Sequence, residues 1–225
     1  MKERGRRAIR NVDNLMATSL GSVPLFRSRA EKRVRDAGYD PARLPPGQYL
    51  TDKWPVLHAG TVPKTDLATW DFMVFGEVDN PIRLTWEEFL ELPSTEVTLD
   101  IHCVTRWSRF DTSFRGVHWR EIAKLVEPKP SARFVVAYAE QGFTANVPLQ
   151  AIEDENALLA YEADGEPLTR DHGWPLRLVV PSKYFWKSAK WLRGLELLPH
   201  DQPGFWERYG YHNDADYWEE ERYGF

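Results

Sequence analysis

The stretch "LDIHCVTRWS", residues 99 to 108, carries the single cysteine of the chain, Cys103, with His102 before it and Arg106 and Trp107 after it. One cysteine forms no internal disulfide and builds no multi-cysteine metal site. It packs, attacks a substrate as a thiolate, or gives one sulfur to a metal whose other ligands come from elsewhere. A lone cysteine most often behaves as a small buried hydrophobe. Two features point toward chemistry: a strand-like run ends at the cysteine, where functional residues concentrate, and nearby positive charge at Arg106 favours the thiolate. As a nucleophile Cys103 needs a base, for which His118 and His172 are the candidates, and spacing selects neither.

A second constellation lies in "DHGWPLRLVVPSKYFWKSAKWL", residues 171 to 192. His172, Arg177, Lys183, Lys187 and Lys190 fall close together with Gly173 and several aromatics among them. "PLRLVVP" reads as a short buried strand that sends Arg177 to the face opposite Leu176 and Leu178. The stretch from Ser182 to Lys190 adds hydroxyls, amines and backbone N–H groups, a set that suits a small enclosed anion, above all a phosphate. A solvated cationic face is the plain alternative. The third segment, "WPVLHAGTVP" at 54 to 63, is a loop between prolines holding His58 ahead of Gly60. Signatures for nucleotide P-loops, dinucleotide folds, zinc proteases and α/β-hydrolases are absent from the sequence.

The elements that must position these groups are short. "WDFMVFGEV" (70 to 78) reads as a strand ending at Gly76. "LTWEEFLELP" (84 to 93) reads as a helix capped by Thr85 and stopped by Pro93, with Leu84, Phe89, Leu90 and Leu92 as its apolar contacts. "VTLDIHCV" is a strand leading into the cysteine. "GVHWREIAKLVEP" (116 to 128) places Val117, Ile122, Leu125 and Val126 on one helical face. "ARFVVAYA" is a strand. "NVPLQAIEDENALLAYEADGEPL" gives a short helix, a strand and a turn at Asp164-Gly165. "KSAKWLRGLELLP" closes the core, with Gly194 as a kink or the start of a strand. Short strands mixed with short helices, without a βαβ rhythm, predict an α+β fold.

With 225 residues, 42% apolar and 13% aromatic, the chain has enough apolar surface for a substantial core. The net charge of −5 argues against a nucleic-acid binder. Charge is uneven: residues 1 to 43 hold 11 Lys/Arg against 5 Asp/Glu, and residues 201 to 225 hold 2 against 7. Residues 1–50 read as a basic arm ending in the loop "PARLPPGQ", and 51–225 as the globular domain with an acidic tail. No apolar run reaches the ~20 residues of a membrane span. The opening "MKERGRRAIRNVDNLMATSLGSVPLF" has an arginine pair but no continuous apolar stretch, so a cytoplasmic protein is expected.

Read together, the segments resemble the sulfite oxidase superfamily of molybdopterin oxidoreductases, in its small, single-domain bacterial branch. "LLAYEADGEPLTRDHGWPLRLVVP" with "KSAKWL" looks like the family's pterin-binding region, "HCVTRWS" its cysteine loop, "LHAGTVP" its N-terminal cofactor loop and "GFWERYGYHND" its closing segment. The resemblance runs from about Trp54 to Trp218. It implies the sulfite-oxidase-type molybdopterin-binding fold, with mixed β-sheets and short helices, and molybdenum and molybdopterin as cofactors. It implies Cys103 as the thiolate on molybdenum, a soft donor suited to that site, with the pterin supplying two more sulfurs. His58, Thr61, Val62, His172, Arg177, Ser188, Ala189 and Lys190 would hold the pterin and its phosphate.

Departures from the family matter too. Phe143, in "GFTANVPL", takes the place of an active-site tyrosine, and a phenyl ring donates no hydrogen bond. Val104, Thr105, Arg106 and Trp107 replace an arginine-rich run. Arg106 is left as the catalytic candidate for an anionic or oxo substrate, and sulfite becomes a poor candidate. The expected activity is oxygen-atom transfer on a small sulfoxide, N-oxide or related oxo compound; a non-catalytic pterin- or partner-binding module is the alternative, and a cysteine hydrolase a third. The periplasmic branch that reduces methionine sulfoxide shares the small size but is exported. Seven residues follow Trp218, so the larger enzymes' haem extension and dimerisation domain are not matched, and a monomer using an external electron-transfer partner is expected. Trp107, Trp174, Trp186 and Trp191 flank the expected site, chiefly as core or cavity wall.

Overall fold

A computed structural model describes residues 23–224, so the arginine pair Arg6 and Arg7 and most of the opening basic stretch lie outside the described residues. The chain divides into two units, Met1–Leu44 and Pro45–Phe225. In the first, helix α1 (Val23–Asp36) carries ion pairs at the i,i+4 spacing, Arg27 to Glu31 at 2.9 Å and Lys32 to Asp36 at 2.8 Å. A 3-10 turn, Pro41–Arg43, follows, its first residues capped by the Asp40 carboxylate.

The second unit holds eleven strands and three short helices among the described residues. One sheet contains β1 (Tyr49–Leu50), β4 (Ser94–His102), β5 (Trp107–His118), β8 (Leu158–Ala163), β9 (Glu166–Pro167) and β10 (Arg177–Val179). Its main path runs β1-β5-β8-β10, with β4 also on β5 and β9 on β8. The other sheet runs β3-β2-β11-β6-β7, from β2 (Asp71–Gly76), β3 (Ile82–Thr85), β6 (Phe134–Ala139), β7 (Thr144–Pro148) and β11 (Leu192–Leu198). Pairing is antiparallel except for β1 on β5 and β11 on β2. The mixed sheets and few short helices make this the α+β architecture expected from the sequence.

Period-two alternation sorts the first sheet's side chains between two apolar clusters. On β8, Leu159 joins the main core with Phe72, Val117, Leu178, Val135 and Leu195, residues drawn from both sheets. Leu158 and Ala160 join a second cluster with Ile101, Cys103, Trp107, Phe114 and Val179. On β10, Arg177 pairs with Ala160 and Val179 with Leu158, so Arg177 shares the face of the second cluster and Leu178 faces the main core. Gly116 permits the close approach of β5 to β8: a Cβ there would lie 2.1 Å from the Leu159 carbonyl oxygen.

Helix α2 (Trp86–Leu90) starts at the Thr85 N-cap that the sequence predicts, and Glu88 completes a capping box there, but the helix ends at Leu90, before Pro93. Phe89 is fully buried, whereas Leu90, expected as a contact, is 46% exposed. Adjacent residues point about 100° apart, and one turn buries one face only. Helix α3 (Trp119–Val126) corrects a second boundary: Gly116, Val117 and His118 belong to β5, and His118 is the N-cap, accepting from Arg120 N at 3.0 Å. The buried face is Trp119, Ile122 and Val126, spaced i, i+3, i+7, which leaves Leu125 at its edge and exposed. Helix α4 (Leu149–Glu153) and the Asp164-Gly165 turn fall where the sequence places them. Among the described residues, no helix is long and apolar enough to cross a membrane.

Candidate active site

Cys103 opens the four-residue β4–β5 turn, Cys103 to Arg106. Cys103 N donates to Trp107 O and Arg106 N to Cys103 O, both at 2.9 Å, and Arg106 is left-handed with φ 80°. This is a turn followed by a bulge residue, a position that favours glycine. Gln48 Nε2 donates to the Cys103 carbonyl at 3.1 Å, and Tyr49 N donates to the Arg106 carbonyl at 2.8 Å. The sulfur is therefore placed by backbone bonds on both sides. It is 8% exposed and hydrogen-bonds with the Thr105 hydroxyl at 3.2 Å. Burial pushes its thiol pKa up, against the pull of that hydroxyl and of the Arg222 guanidinium. Neighbouring His102 turns Nδ1 to Ser108 Oγ at 2.8 Å.

The sulfur borders a cleft of about 510 Å³. The residues of β10 and those on either side of it bring the second group of side chains to it. Arg177 is 2% exposed; its guanidinium donates to the carbonyls of His172 and Ser188, each at 2.9 Å, and lies 4.2 Å over the Phe185 ring. Among the described residues it makes no ion pair. Burial brings its pKa down to about 9. Gly173, at φ 109°, allows the packing: a Cβ there would come within 3.1 Å of both Arg177 Cβ and Lys190 Cβ. Lys190 Nζ donates to Leu57 O and Asp171 O at 2.8 Å, carbonyls and not carboxylates. Burial, then the charge of Arg177, brings its pKa down to about 7. His172 is half-buried between Thr169 Oγ1 (2.9 Å) and the Trp54 carbonyl (3.2 Å), and burial lowers its pKa.

His58, Cys103, His172, Arg177, Ser188, Ala189 and Lys190 all line this one cleft, so residues 45 to 132 positions apart in sequence meet at it. Ser188 Oγ accepts from Val180 N at 2.9 Å and fastens its segment to β10. Thr61 and Val62 stand just off the wall; Thr61 is tied to Gln141 by reciprocal bonds of 3.3 and 2.9 Å. The Arg106 side chain is exposed and not on the wall. Two of the expected lysines serve elsewhere: Lys183 pairs with Asp214 and Lys187 with Glu207, both at 2.6 Å. These partners come from the acidic C-terminal stretch, which folds against the domain through them. Of the flanking tryptophans, Trp107, Trp186 and Trp191 line the cleft and Trp174 does not.

Trp54, Phe205, Trp206 and Tyr211 line the cleft and were not foreseen as wall residues. Tyr211 matters most. Phe143 is on the wall, and Tyr211 nevertheless brings a phenol there, within electrostatic reach of Cys103; burial raises its pKa, so the hydroxyl keeps its proton. The one carboxylate on the wall, Glu140, is held by Arg193 at 2.6 Å. Arg177, Lys190 and two histidines thus face a cleft with no uncommitted acid, which suits an anionic ligand. Trp107 lines the wall, and its Nε1 is buried without a partner among the described residues. A buried cation, an unmatched donor and a single sulfur fit an anionic pterin whose metal takes one protein ligand.

Comparison with known proteins agrees with this chemistry. A family model described as the oxidoreductase molybdopterin binding domain matches residues 59–206. The uncharacterized oxidoreductase YuiH of Bacillus subtilis is 48% identical over 182 residues, 80% of this chain and 92% of that protein. The sulfite oxidase of Arabidopsis thaliana is 31% identical over 68% of this chain and 48% of its own length. The mitochondrial sulfite oxidase of Homo sapiens is 27% identical over 74% of this chain, and the match covers 37% of that enzyme. The chain thus spans less than half the length of these two sulfite oxidases. Among solved structures, the sulfane dehydrogenase SoxCD from Paracoccus pantotrophus superposes with a TM-score of 0.59 at 22% identity, over 68% of this chain and 43% of that one. That likeness establishes the fold.

Proposed function

Because the chain belongs to the oxidoreductases with a molybdopterin-binding domain, and so uses molybdenum and molybdopterin, we propose that it transfers an oxygen atom to or from a small neutral substrate, with Cys103 as the protein's ligand to molybdenum. The observation that carries this reading is the pairing on one cleft of the Cys103 sulfur with Arg177, a buried guanidinium that has no carboxylate partner among the described residues. When bound, the cofactor supplies two-electron oxygen-atom chemistry.

The chain's own residues divide the remaining work. Arg177, Lys190 and His172, with the backbone of Ser188 and Ala189, bind and orient the pterin's anionic end; His58 completes that side, and Thr61 and Val62, off the wall, act only by holding its loop. A buried guanidinium is the stronger anchor, since low polarity magnifies its attraction to a phosphate. Cys103, fixed by its hairpin, holds the metal side. Tyr211 offers its hydroxyl proton to the substrate oxygen. Trp186, Phe205 and Trp206 exclude water and give apolar substituents a surface.

The same wall argues for a sulfoxide or N-oxide over sulfite. The Arg and Lys side chains on it, Arg177 and Lys190, are both assigned to the cofactor, and Arg106 is exposed and away from the wall. A doubly charged oxyanion beside Cys103 would meet aromatic rings in place of arginines. An external electron-transfer partner completes the cycle.

The test is metal analysis of protein made in a host that synthesises the cofactor, followed by dye-coupled turnover of a sulfoxide, an N-oxide and sulfite. Near-stoichiometric molybdenum, turnover with the neutral oxo donors and loss of turnover in Cys103→Ser are expected. Sulfite as the best substrate, or full turnover in Cys103→Ser, would overturn the reading.

A further inference from the structure

Arg222 lies 119 residues beyond Cys103 and is not on the cleft wall, yet it is 6% exposed and reaches the cysteine turn. Its Nη1 donates to the Val104 carbonyl at 2.6 Å, and Nη2 reaches the Pro46 carbonyl at 3.4 Å. Val104 is the residue just after the one that bears the sulfur, and Pro46 stands two residues before Gln48, which binds the Cys103 carbonyl. One planar guanidinium therefore ties together two segments that fix the sulfur. Its flat face lies 4.8 Å over the Tyr184 ring. The Glu220 carboxylate makes an ion pair with it at 3.6 Å, but that carboxylate is 46% exposed and screened by water, which weakens its hold on the buried guanidinium.

The same segment reaches the substrate side. Tyr211 and Tyr223 form an isolated antiparallel bridge, their rings 5.5 Å apart, and His212 N donates to the Arg222 carbonyl at 3.2 Å. The wall tyrosine and the arginine behind the cysteine thus share one backbone ladder.

We propose that Arg222 is a positioning residue of the metal centre: it holds the Val104 carbonyl, and with it the Cys103 turn, and it places a buried positive charge behind the sulfur. This rests on the reading of Cys103 as the molybdenum ligand. Groups behind a metal's ligand orient it and tune the metal. A fixed cation favours the more electron-rich state, so its loss lowers the midpoint potential.

Arg222→Gln, Arg222→Lys and Cys103→Ser are compared with the unaltered protein. In cofactor-free protein, amide hydrogen exchange reads the turn directly: Arg222→Gln should speed exchange at Cys103 and Arg106 tenfold or more. In loaded protein, Arg222→Gln should retain molybdenum within twofold, alter the Mo(V) resonance and move the midpoint potential negative, and Arg222→Lys should restore the potential. Unchanged exchange together with an unchanged potential in Arg222→Gln overturns the proposal, as does a potential in Arg222→Lys that falls as far as in Arg222→Gln. Should Arg222→Gln fail to fold, Arg222→Met, which keeps the packing on Tyr184, decides by the same two readings. A Mo(V) resonance unchanged in Cys103→Ser defeats the ligand reading alone, and the exchange data then still report on whether Arg222 holds the turn.

Discussion

Lys187 Nζ lies 2.6 Å from Glu207 Oε1, with the two side chains 0% and 3% exposed. The lysine's other donors go to Asn146 Oδ1 at 2.9 Å and Asn213 O at 2.7 Å, and Trp186 Nε1 donates to the same glutamate oxygen at 2.9 Å. The pair thus joins the Phe185–Lys187 turn to the segment carrying Phe205, Trp206 and Tyr211, behind the aromatic wall.

Breaking this pair on one side should be far worse than replacing both partners. Lys187→Met strands a buried carboxylate and should cost about 3–5 kcal/mol. Lys187→Met with Glu207→Leu removes both charges and should recover a large part of that loss, which denaturant unfolding of the single and double variants would measure. Costs that simply add would show that the carboxylate is not buried as described.

The sequence made much of this fold and half of its site legible, and the reasons differ residue by residue. Strands β2, β6 and β10 are short, mostly apolar runs, so pattern alone finds them. Strand β5 buries Ser108 and Thr112 beside Phe110 and Phe114 and carries a bulge at Arg115/Gly116, so its alternation is masked. Cys103, His172 and Arg177 are rare types in dense local motifs. Tyr211, Trp54 and Arg222 act through partners more than 100 residues away, such as Val104 for Arg222 and His172 for Trp54, and no local pattern encodes that. Lys183 and Lys187 look like ligands until their carboxylates appear from the acidic tail.

Arg177 should show opposite effects on loading and on folding. Its burial has no carboxylate to offset desolvation, so Arg177→Met should leave cofactor-free stability within about 1–2 kcal/mol, lost bonds to His172 O and Ser188 O roughly offsetting relief of the buried charge. Pterin content should fall at least tenfold. Arg177→Lys should not rescue it, because one ammonium cannot span both carbonyls and an anion. Thermal melting with pterin analysis checks this; normal pterin content in Arg177→Met would refute it.

Lys190 gives the cofactor-free protein a pH signature. Its pKa falls from 10.5 to about 7 on folding. Between these values the unfolded chain binds more protons, so stability should rise with pH from about 7 to 10.5 as the buried charge is relieved. Lys190→Met should flatten that rise. Inorganic phosphate should stabilise the unaltered protein near pH 7, where Lys190 is about half charged, and less at pH 9, where it is neutral. Chemical unfolding at several pH values checks the slope; a falling slope over that window would contradict the burial of Lys190.

Tyr211→Phe isolates the phenol. Burial raises the Tyr211 pKa, so the hydroxyl keeps its proton across the working range. The ring packs 5.3 Å from Trp186 and 5.0 Å from Trp206, contacts that phenylalanine preserves. Molybdenum and pterin contents should therefore match the unaltered protein. Turnover of a sulfoxide should fall by roughly 10²–10⁴-fold, the usual reach of one proton donor. The loss should appear in kcat more than in KM, because the hydroxyl acts as charge develops on the substrate oxygen. Steady-state kinetics with a dye donor, normalised to metal content, measure both constants. Unchanged kcat would remove Tyr211 from the reaction and leave it as wall alone.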